Sequence, residues 1–410
     1  MKCRHCGHAL AERFIDLGSA PPSNAYLTEA RLSAPEKWYP LTVLVCTHCW
    51  LAQTEDFAQA DELFDAEYAY FSGFSTSWLA HCESYAASMV KRFGIGPDHV
   101  VVEVAANDGS LLDCFHRRGI PSLGVEPTAS TAASARARGL DIVEAFFGTA
   151  LAREMVARGS RARLTTANNV LAHVPDINDF VAGFAILLAE DGVATFEFPH
   201  LLNLVRERQF DTIYHEHYSY LSLIAVERIF AVNGLEVFDV EELPTHGGSL
   251  RVYAQRAATG VHPTGGNVSR LLEQEREAGM ATASFYQRFQ GVAETVKDDF
   301  VAFLIEARRA GKRVAAYGAA AKGNTLLNFA GVRPDLVSFV VDRNPSKQGK
   351  FMPGSRIPIR DEDALRTERP DYVVLLPWNL REELVRQLGY VGEWGGRFVT
   401  AIPRLAVFVP

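Results

Sequence analysis

Residues 98–119 read DHVVVEVAANDGSLLDCFHRRG. The segment 100–104 is apolar except for Glu103, as a strand buried on both faces requires, and from Ser110 onward apolar residues recur at helical spacing. Strand, turn and helix in that order open a doubly wound α/β domain, whose ligands lie at the carboxyl ends of the strands. The turn is therefore the first candidate binding element. Glu103 sits near the strand end, and Ala105, Asn107, Asp108 and Gly109 supply small or turn-forming residues that let a ligand approach the backbone closely.

The units that follow extend the same pattern. PSLGVEP (121–127) puts Glu126 at the end of an apolar run about twenty residues on, where a carboxylate can take both hydroxyls of a ribose. DIVEAFFG (141–148) reads as a third strand with Phe146 and Phe147 behind it, and 162–200 carries two more strands around NNVLAHVPD (168–176). The G-x-G-x-x-G spacing of a dinucleotide dehydrogenase is absent from the first turn. The acidic strand end, the N-D-G turn and NNVLAHVPD instead resemble the S-adenosylmethionine-dependent class I methyltransferases. That resemblance implies a cofactor site of Glu103, Ala105, Asn107, Asp108, Gly109, Glu126, Phe146, Asn168 and Asn169. The chain departs from the pattern at Ala105, where glycine is more common.

Upstream lies a different kind of signal. Four of the six cysteines form Cys3-x-x-Cys6 and Cys46-x-x-Cys49, and two such knuckles make a tetrahedral zinc site. A disulfide pair or unrelated buried cysteines are the competing readings. Four thiolates leave the metal no open position, so the zinc is expected to be structural, and His5, His8 and His48 are bystanders. Turn signals and the apolar strand LTVLVC (41–46) complete a small module over 1–58, and a helical pattern begins at 61–78 with DELFDAEYAYFSGFSTSW.

With 410 residues, 48% apolar and 22% charged, the chain has the composition of a globular protein of two or three domains. A net charge of −8 with no concentrated Lys and Arg excludes a broad nucleic-acid footprint. No apolar run suits a membrane span, and the opening MKCRHCGHAL does not read as a signal peptide, so a cytoplasmic location is expected.

Beyond the central core, HGGSLRVY (246–253) closes the middle domain and ATGVHPTGGN (258–267) reads as a linker. A long helical stretch over roughly 268–310 then leads to GKRVAAYGAAAKGNT, to a strand ending in Asp342, and to PDYVVLLPWNL, which together form a second α/β domain. Its G-A-A-A-K-G turn is neither a P-loop nor G-x-G-x-x-G, but Lys322, Gly323 and Asn324 at a helix N-terminus form a candidate anion site. A purely structural turn is the alternative. His246, Ser249 and Arg251 either face a substrate or cap a hairpin.

Taken together, the double C-x-x-C module, EVAANDGSLL, YHEHYSYLS (214–222), HGGSLRVY and YGAAAKGNT (317–325) resemble, end to end, the sugar C-methyltransferases of deoxysugar biosynthesis. Within that family the resemblance is to enzymes that methylate carbon 3 of thymidine-diphosphate-linked (dTDP) 4-keto-6-deoxy sugars. It implies a zinc module (1–58), a class I methyltransferase domain of Rossmann-like α/β fold with a helical entry segment (59–262), and a second Rossmann-like α/β domain for substrate (263–410). The sugar then lies in the cleft between the second and third domains, and the chain is expected to work as a monomer on a small molecule. Methylation at carbon 5 is the nearest alternative, and an NAD-dependent nucleotide-sugar oxidoreductase is the alternative from another class.

C-methylation gives YHEHY a chemical task. A proton α to a carbonyl must be removed by a base, and a donor must stabilise the developing enolate oxygen. Histidine suits the first role and His217 is the expected base, its tautomer fixed by Glu216 or by a backbone carbonyl. The family resemblance implies the same base, with Tyr214 and Glu216 lining the pocket and His173 and Tyr68 converging on it. Tyr214 or Tyr68 is the candidate enolate donor, and Lys322 and Asn324 would hold the diphosphate. A metal held by the H-x-H pair and a solvated surface cluster are the rival readings, and His215 is the member expected to point elsewhere.

Overall fold

A computed structural model describes residues 1–57 and 72–410 and builds them around three sheets. Tyr68, and most of the helical pattern read at 61–78, lie outside the described residues; the helix that can be described there is Thr76–Phe93.

The first sheet has four antiparallel strands. Glu12–Ala20, Tyr39–Val45 and Ala52–Thr54 come from the N-terminal module, and the fourth, Ser219–Tyr220, comes from far along the chain. Alternating burial along the end of Tyr39–Val45 puts Leu41, Val43 and Val45 on its inner face, and the buried Cys46 follows where the strand ends. Gly7 and Trp50, just after the two cysteine pairs, both take left-handed backbone, which lets each knuckle close.

The second sheet has seven strands in the order Leu235–Leu243, Ser249–Arg256, Leu188–Pro199, Ala162–Asn168, Val101–Val104, Ser122–Val125 and Ile142–Val143. Ser249–Arg256 runs antiparallel to both neighbours, and the strands from Leu188–Pro199 to Ile142–Val143 are parallel. Val101–Val104 is buried throughout and sits where the strand order reverses, so the 105–109 turn opens at the topological switch point.

Between this sheet and the next, the single helical stretch expected over 268–310 is three helices, Gly266–Glu277, Ala283–Gln287 and Phe289–Arg309. The break is made by Gly279, whose φ of 89° lets the Met280 N–H turn back to the Glu275 carbonyl while the Met280 side chain is buried. The third sheet has six strands, Ile359–Arg360, Val340–Val341, Val314–Tyr317, Tyr372–Leu375, Arg397–Thr400 and Ala406–Phe408, parallel except for the last. The helix Ala321–Phe329 after its first strand docks on the middle domain, where Thr325 Oγ donates to the Ile213 carbonyl at 2.9 Å and Phe329 meets Phe210 edge-on. No helix among the described residues is long and apolar enough to cross a membrane.

Candidate active site

At the switch point Ala105, Asn107 and Gly109 all have positive φ, 60°, 50° and 75°. The bend expected of a glycine is thus kept with alanine at 105, at a cost of about 1 kcal/mol. Gly109 is harder to replace, because a Cβ there would add to the left-handed φ a contact of 2.3 Å with Leu140 Cδ1 and one of 3.1 Å with Ala135 Cβ. Glu126 is fixed at the end of its strand by the Asn107 N–H (2.8 Å), the Thr128 N–H (2.9 Å) and the Thr131 hydroxyl (3.0 Å). Asp108 faces the other way, and accepts from the Ser72 hydroxyl, the Gly73 N–H and the Ser110 hydroxyl, while Asn107 Oδ1 accepts from the Ser72 N–H. These bonds fasten the segment 72–73 over the turn.

Glu103 is buried, and burial first, then Asp108 and Glu126, push its carboxyl well above the usual range. Its Oε2, Asn168 Nδ2 and Asn169 Oδ1 have no hydrogen-bond partner among the described residues. Crowded carboxylates and unpaired buried polar atoms suit a ligand that brings cationic charge with N–H and O–H donors, as the sulfonium, ammonium and ribose of S-adenosylmethionine do. Phe146 lies apart at 58% exposure, whereas Phe147 packs against Phe180 and Phe184.

The stretch 214–220 begins as a turn after the short helix Phe210–Thr212 and ends in the strand Ser219–Tyr220. His217 is buried, and its Nδ1 lies 2.8 Å from the Thr212 carbonyl. A carbonyl only accepts, so Nδ1 carries the proton and Nε2 holds the free lone pair. His173 and Tyr214 flank the ring, with centroids 4.6 Å and 4.0 Å away. Burial, then His173, then Lys322 and His246 hold His217 well below the usual histidine range, and burial takes His173 down to about 4. The backbone carbonyl thus sets the tautomer; Glu216 turns away, its Oε1 accepting from Asn24 Nδ2 at 2.6 Å. His215 also turns away, to the Pro40 carbonyl and the Tyr39 ring.

The third domain contributes Lys322, whose ammonium donates to Asn379 Oδ1 at 3.0 Å and lies 4.9 Å from the centre of the Trp378 ring. The Trp378 indole N–H donates to Asp211 Oδ2 at 2.8 Å, and burial, offset in part by Lys322, pushes Asp211 up to about 6. Asn324 is 0% exposed, and neither its Nδ2 nor its Oδ1 has a partner among the described residues. His246 takes left-handed backbone between Asn169 (3.3 Å) and Trp78. Arg251 is committed elsewhere, to Glu197 at 2.6 Å and Glu241 at 3.0 Å, over the Tyr85 ring; Glu197 also takes His81 at 2.8 Å. Ser249 caps the hairpin turn by donating to the Thr245 carbonyl.

At the N-terminal module the four cysteine sulfurs lie within 4.8 Å of one another, with Cys3–Cys49 at 3.5 Å, Cys6–Cys46 at 3.6 Å and Cys6–Cys49 at 3.7 Å. Tetrahedral zinc with bonds of about 2.3 Å needs sulfurs about 3.7–3.8 Å apart. The four cannot ionise together without a cation. The Cys49 hydrogen bond pulls Cys3 down to about 4, burial pushes Cys6 up to about 11, and Cys49 is driven up by its bond to Cys3. A structural dication resolves that conflict, and these residues bind zinc.

Asp211, Trp378, Asn379 and Asn24 were not singled out in the sequence. Each is a polar or aromatic residue whose partner lies between 57 and 192 positions away, so no local spacing marks it.

Comparison with known proteins matches three successive segments of the chain. Family models match residues 3–64 as a zinc binding domain, 78–240 as a methyltransferase domain and 244–403 as a C-methyltransferase C-terminal domain. The C-methyltransferase NovU of Streptomyces niveus is 35% identical over 402 residues, covering 98% of this chain and 95% of its own. Among solved structures, a Burkholderia thailandensis 1,6-didemethyltoxoflavin-N1-methyltransferase is 16% identical with a TM-score of 0.36, covering 50% of this chain and 94% of its own. Magnesium protoporphyrin IX methyltransferase from Synechocystis is 15% identical with a TM-score of 0.34, covering 44% of this chain and 79% of its own.

Proposed function

Because the chain belongs to the sugar C-methyltransferase family and is an S-adenosylmethionine-dependent C-methyltransferase, we propose that it methylates carbon 3 of a dTDP-linked 4-keto-6-deoxy sugar, with His217 as the base. The observation that carries this reading is the His217 tautomer. With Nδ1–H held by the Thr212 carbonyl, Nε2 is a fixed acceptor in a buried site, ready to take the proton α to the ketone.

Burial that makes an isolated imidazolium costly is less costly here, because proton transfer creates the imidazolium and the enolate as a pair. The Tyr214 phenol, beside His217, and Tyr68 are the proposed donors to the enolate oxygen. S-adenosylmethionine supplies an electrophilic methyl group, held by Glu103, Glu126 and the 105–109 turn with Asn168 and Asn169. Lys322 and Asn324 take the diphosphate, which satisfies the unpaired Asn324 amide. This reading places the sugar between the domains 59–262 and 263–410.

The turn of the third domain favours it over the oxidoreductase alternative, because G-A-A-A-K-G (318–323) lacks the G-x-G-x-x-G spacing of a dinucleotide site. The test is incubation with a panel of dTDP 4-keto sugars and S-adenosylmethionine, and location of the new methyl by NMR. A methyl on carbon 3 supports the assignment. Carbon 5, the other carbon α to the same ketone, would overturn the position but keep the enolate chemistry, and transfer to oxygen or nitrogen would overturn both.

A further inference from the structure

Six successive residues of the 214–220 stretch are held by the zinc module. His215 meets the Pro40 carbonyl at 3.2 Å, and Glu216 accepts from Asn24 at 2.6 Å. The His217 carbonyl accepts from the Thr54 hydroxyl and the Tyr218 carbonyl from the Thr54 N–H, both at 3.1 Å. Ser219 and Tyr220 then pair with Gln53 and Ala52 as the fourth strand of the module's own sheet. The methyltransferase domain thus lends its central polar stretch to a sheet it does not own.

The strand that receives it, Ala52–Thr54, is three residues long and is pinned from behind by the metal site. Gln53 is 0% exposed; its amide donates to Cys3 Sγ at 3.2 Å while its Oε1 accepts the Arg4 N–H at 2.9 Å. The Arg4 guanidinium continues the tie, donating to the Thr54 and Pro175 carbonyls and lying 5.3 Å from the centre of the Tyr218 ring. Successive residues of a strand face opposite sides. Gln53 therefore reaches back to the thiolate while Thr54 reaches forward to His217. A buried apolar residue at 53 would satisfy the packing, whereas a buried amide needs partners and here finds a metal-ligand sulfur and the knuckle backbone.

We infer that Gln53 and Thr54 are positioning residues that couple the zinc knuckle to His217, so that the metal site orients the imidazole as well as stabilising the module. The inference rests on His217 being the base, and it involves no new covalent step. A three-residue strand holds register weakly by itself, and a slip at Thr54 would move the His217 backbone relative to the Thr212 carbonyl that fixes its tautomer. Misplacement of a catalytic group by an ångström costs up to about a hundredfold in rate.

The experiment compares Thr54→Val, which removes the hydroxyl at constant shape, with Thr54→Ser, which restores it, and with Gln53→Leu. Zinc stoichiometry, S-adenosylmethionine affinity, kcat and KM with the sugar that the panel identifies, and the 15N–1H resonance of His217 Nδ1–H are measured on each full-length protein. Thr54→Val is expected to keep its zinc and its cofactor affinity, to lose about tenfold in kcat with KM unchanged, and to shift or broaden the His217 resonance, with Thr54→Ser returning both towards wild type. Gln53→Leu is expected to weaken zinc about tenfold and, in the cobalt-substituted protein, to shift the thiolate charge-transfer band. A Thr54→Val protein with wild-type kcat and an unmoved resonance would overturn the coupling, as would failure of serine to rescue. A moved resonance in Thr54→Val, with kcat unchanged both there and in His217→Asn, would instead leave the coupling standing and remove His217 as the base.

Discussion

The cofactor turn and the catalytic cleft lie in one protein, but they are assembled in opposite ways. Glu103, Ala105, Asn107 and Gly109 follow one another at the end of a single buried strand, and Glu126 comes from the adjacent parallel strand. The cleft draws His217, Tyr214 and His173 from the middle domain, Lys322 and Trp378 from the third, and the support for His217 from the zinc module. A site built on one strand and its turn is rigid and locally specified. A site built at the meeting of three sheets depends on long-range contacts, so changes in it should reach further.

The widest separation is expected at His217. His217→Asn should leave S-adenosylmethionine binding intact and lower turnover about 10²–10⁴-fold, the usual contribution of a positioned general base. Exchange of the α hydrogen with deuterated solvent in the presence of S-adenosylhomocysteine checks the assignment before methyl transfer. Turnover near wild type would move the base to His173 or Tyr68.

At the cofactor turn the effect should be confined to one ligand. Glu126→Ala removes a carboxylate already ordered by three donors, so calorimetry should show S-adenosylmethionine binding weakened by about 1.5–3 kcal/mol. Sugar affinity should not follow. If both affinities fell together, the contrast between a local and a distributed site would fail.

How far each region could be read from sequence follows from the same contrast. The strand–turn–helix at 98–119 was legible because its period and its turn residues are contiguous, and the four cysteines because tetrahedral zinc demands paired spacing. Lys322 was singled out from a helix N-terminus, but Asp211 and Trp378, which hold it in place, carry no local pattern. The glycine break at Gly279 is not legible in the sequence because the apolar spacing resumes immediately after it. Of the two groups that the sequence offers to fix the His217 tautomer, Glu216 or a backbone carbonyl, the structure selects the carbonyl of Thr212, five residues back, because at a turn adjacent side chains diverge; that choice is not legible from adjacency in the chain.

Acid should test the cleft through its buried histidines. Burial takes His246 down to about 4, against an ordinary value of 6.5, so between those limits the unfolded chain binds the proton that the folded protein refuses. Stability is therefore full above pH 6.5 and falls as the pH is lowered towards 4. Asp211 and Glu103 run the other way, because burial raises both carboxyls and the folded protein then holds protons that the unfolded chain releases. His246→Asn isolates the histidine, since asparagine tolerates the φ of 54° found there. With His246 partly open to solvent, wild type should lose about 1 kcal/mol relative to that variant between pH 7 and 5 in urea melts.

The smallest effect is expected where the third domain latches onto the second. The Trp378 indole donates to Asp211 across that boundary, and its ring lies beside the Lys322 ammonium. Trp378→Phe keeps an aromatic face for the cation but removes the indole donor, leaving the Lys322 ammonium as the favourable charge near Asp211. The short helix Phe210–Thr212 that carries the Thr212 carbonyl is also held by Phe329 and, at Ile213, by Thr325, so the His217 tautomer should survive the change. What loosens is the hold of the third domain on the sugar diphosphate, an interaction made equally before and during the reaction. Steady-state kinetics should then show KM for the nucleotide sugar raised about three- to fivefold with kcat within about twofold of wild type. A fall in kcat at unchanged KM would mean that the latch, like Thr54, acts on the base, and that the cleft is coupled more tightly than its separate contacts indicate.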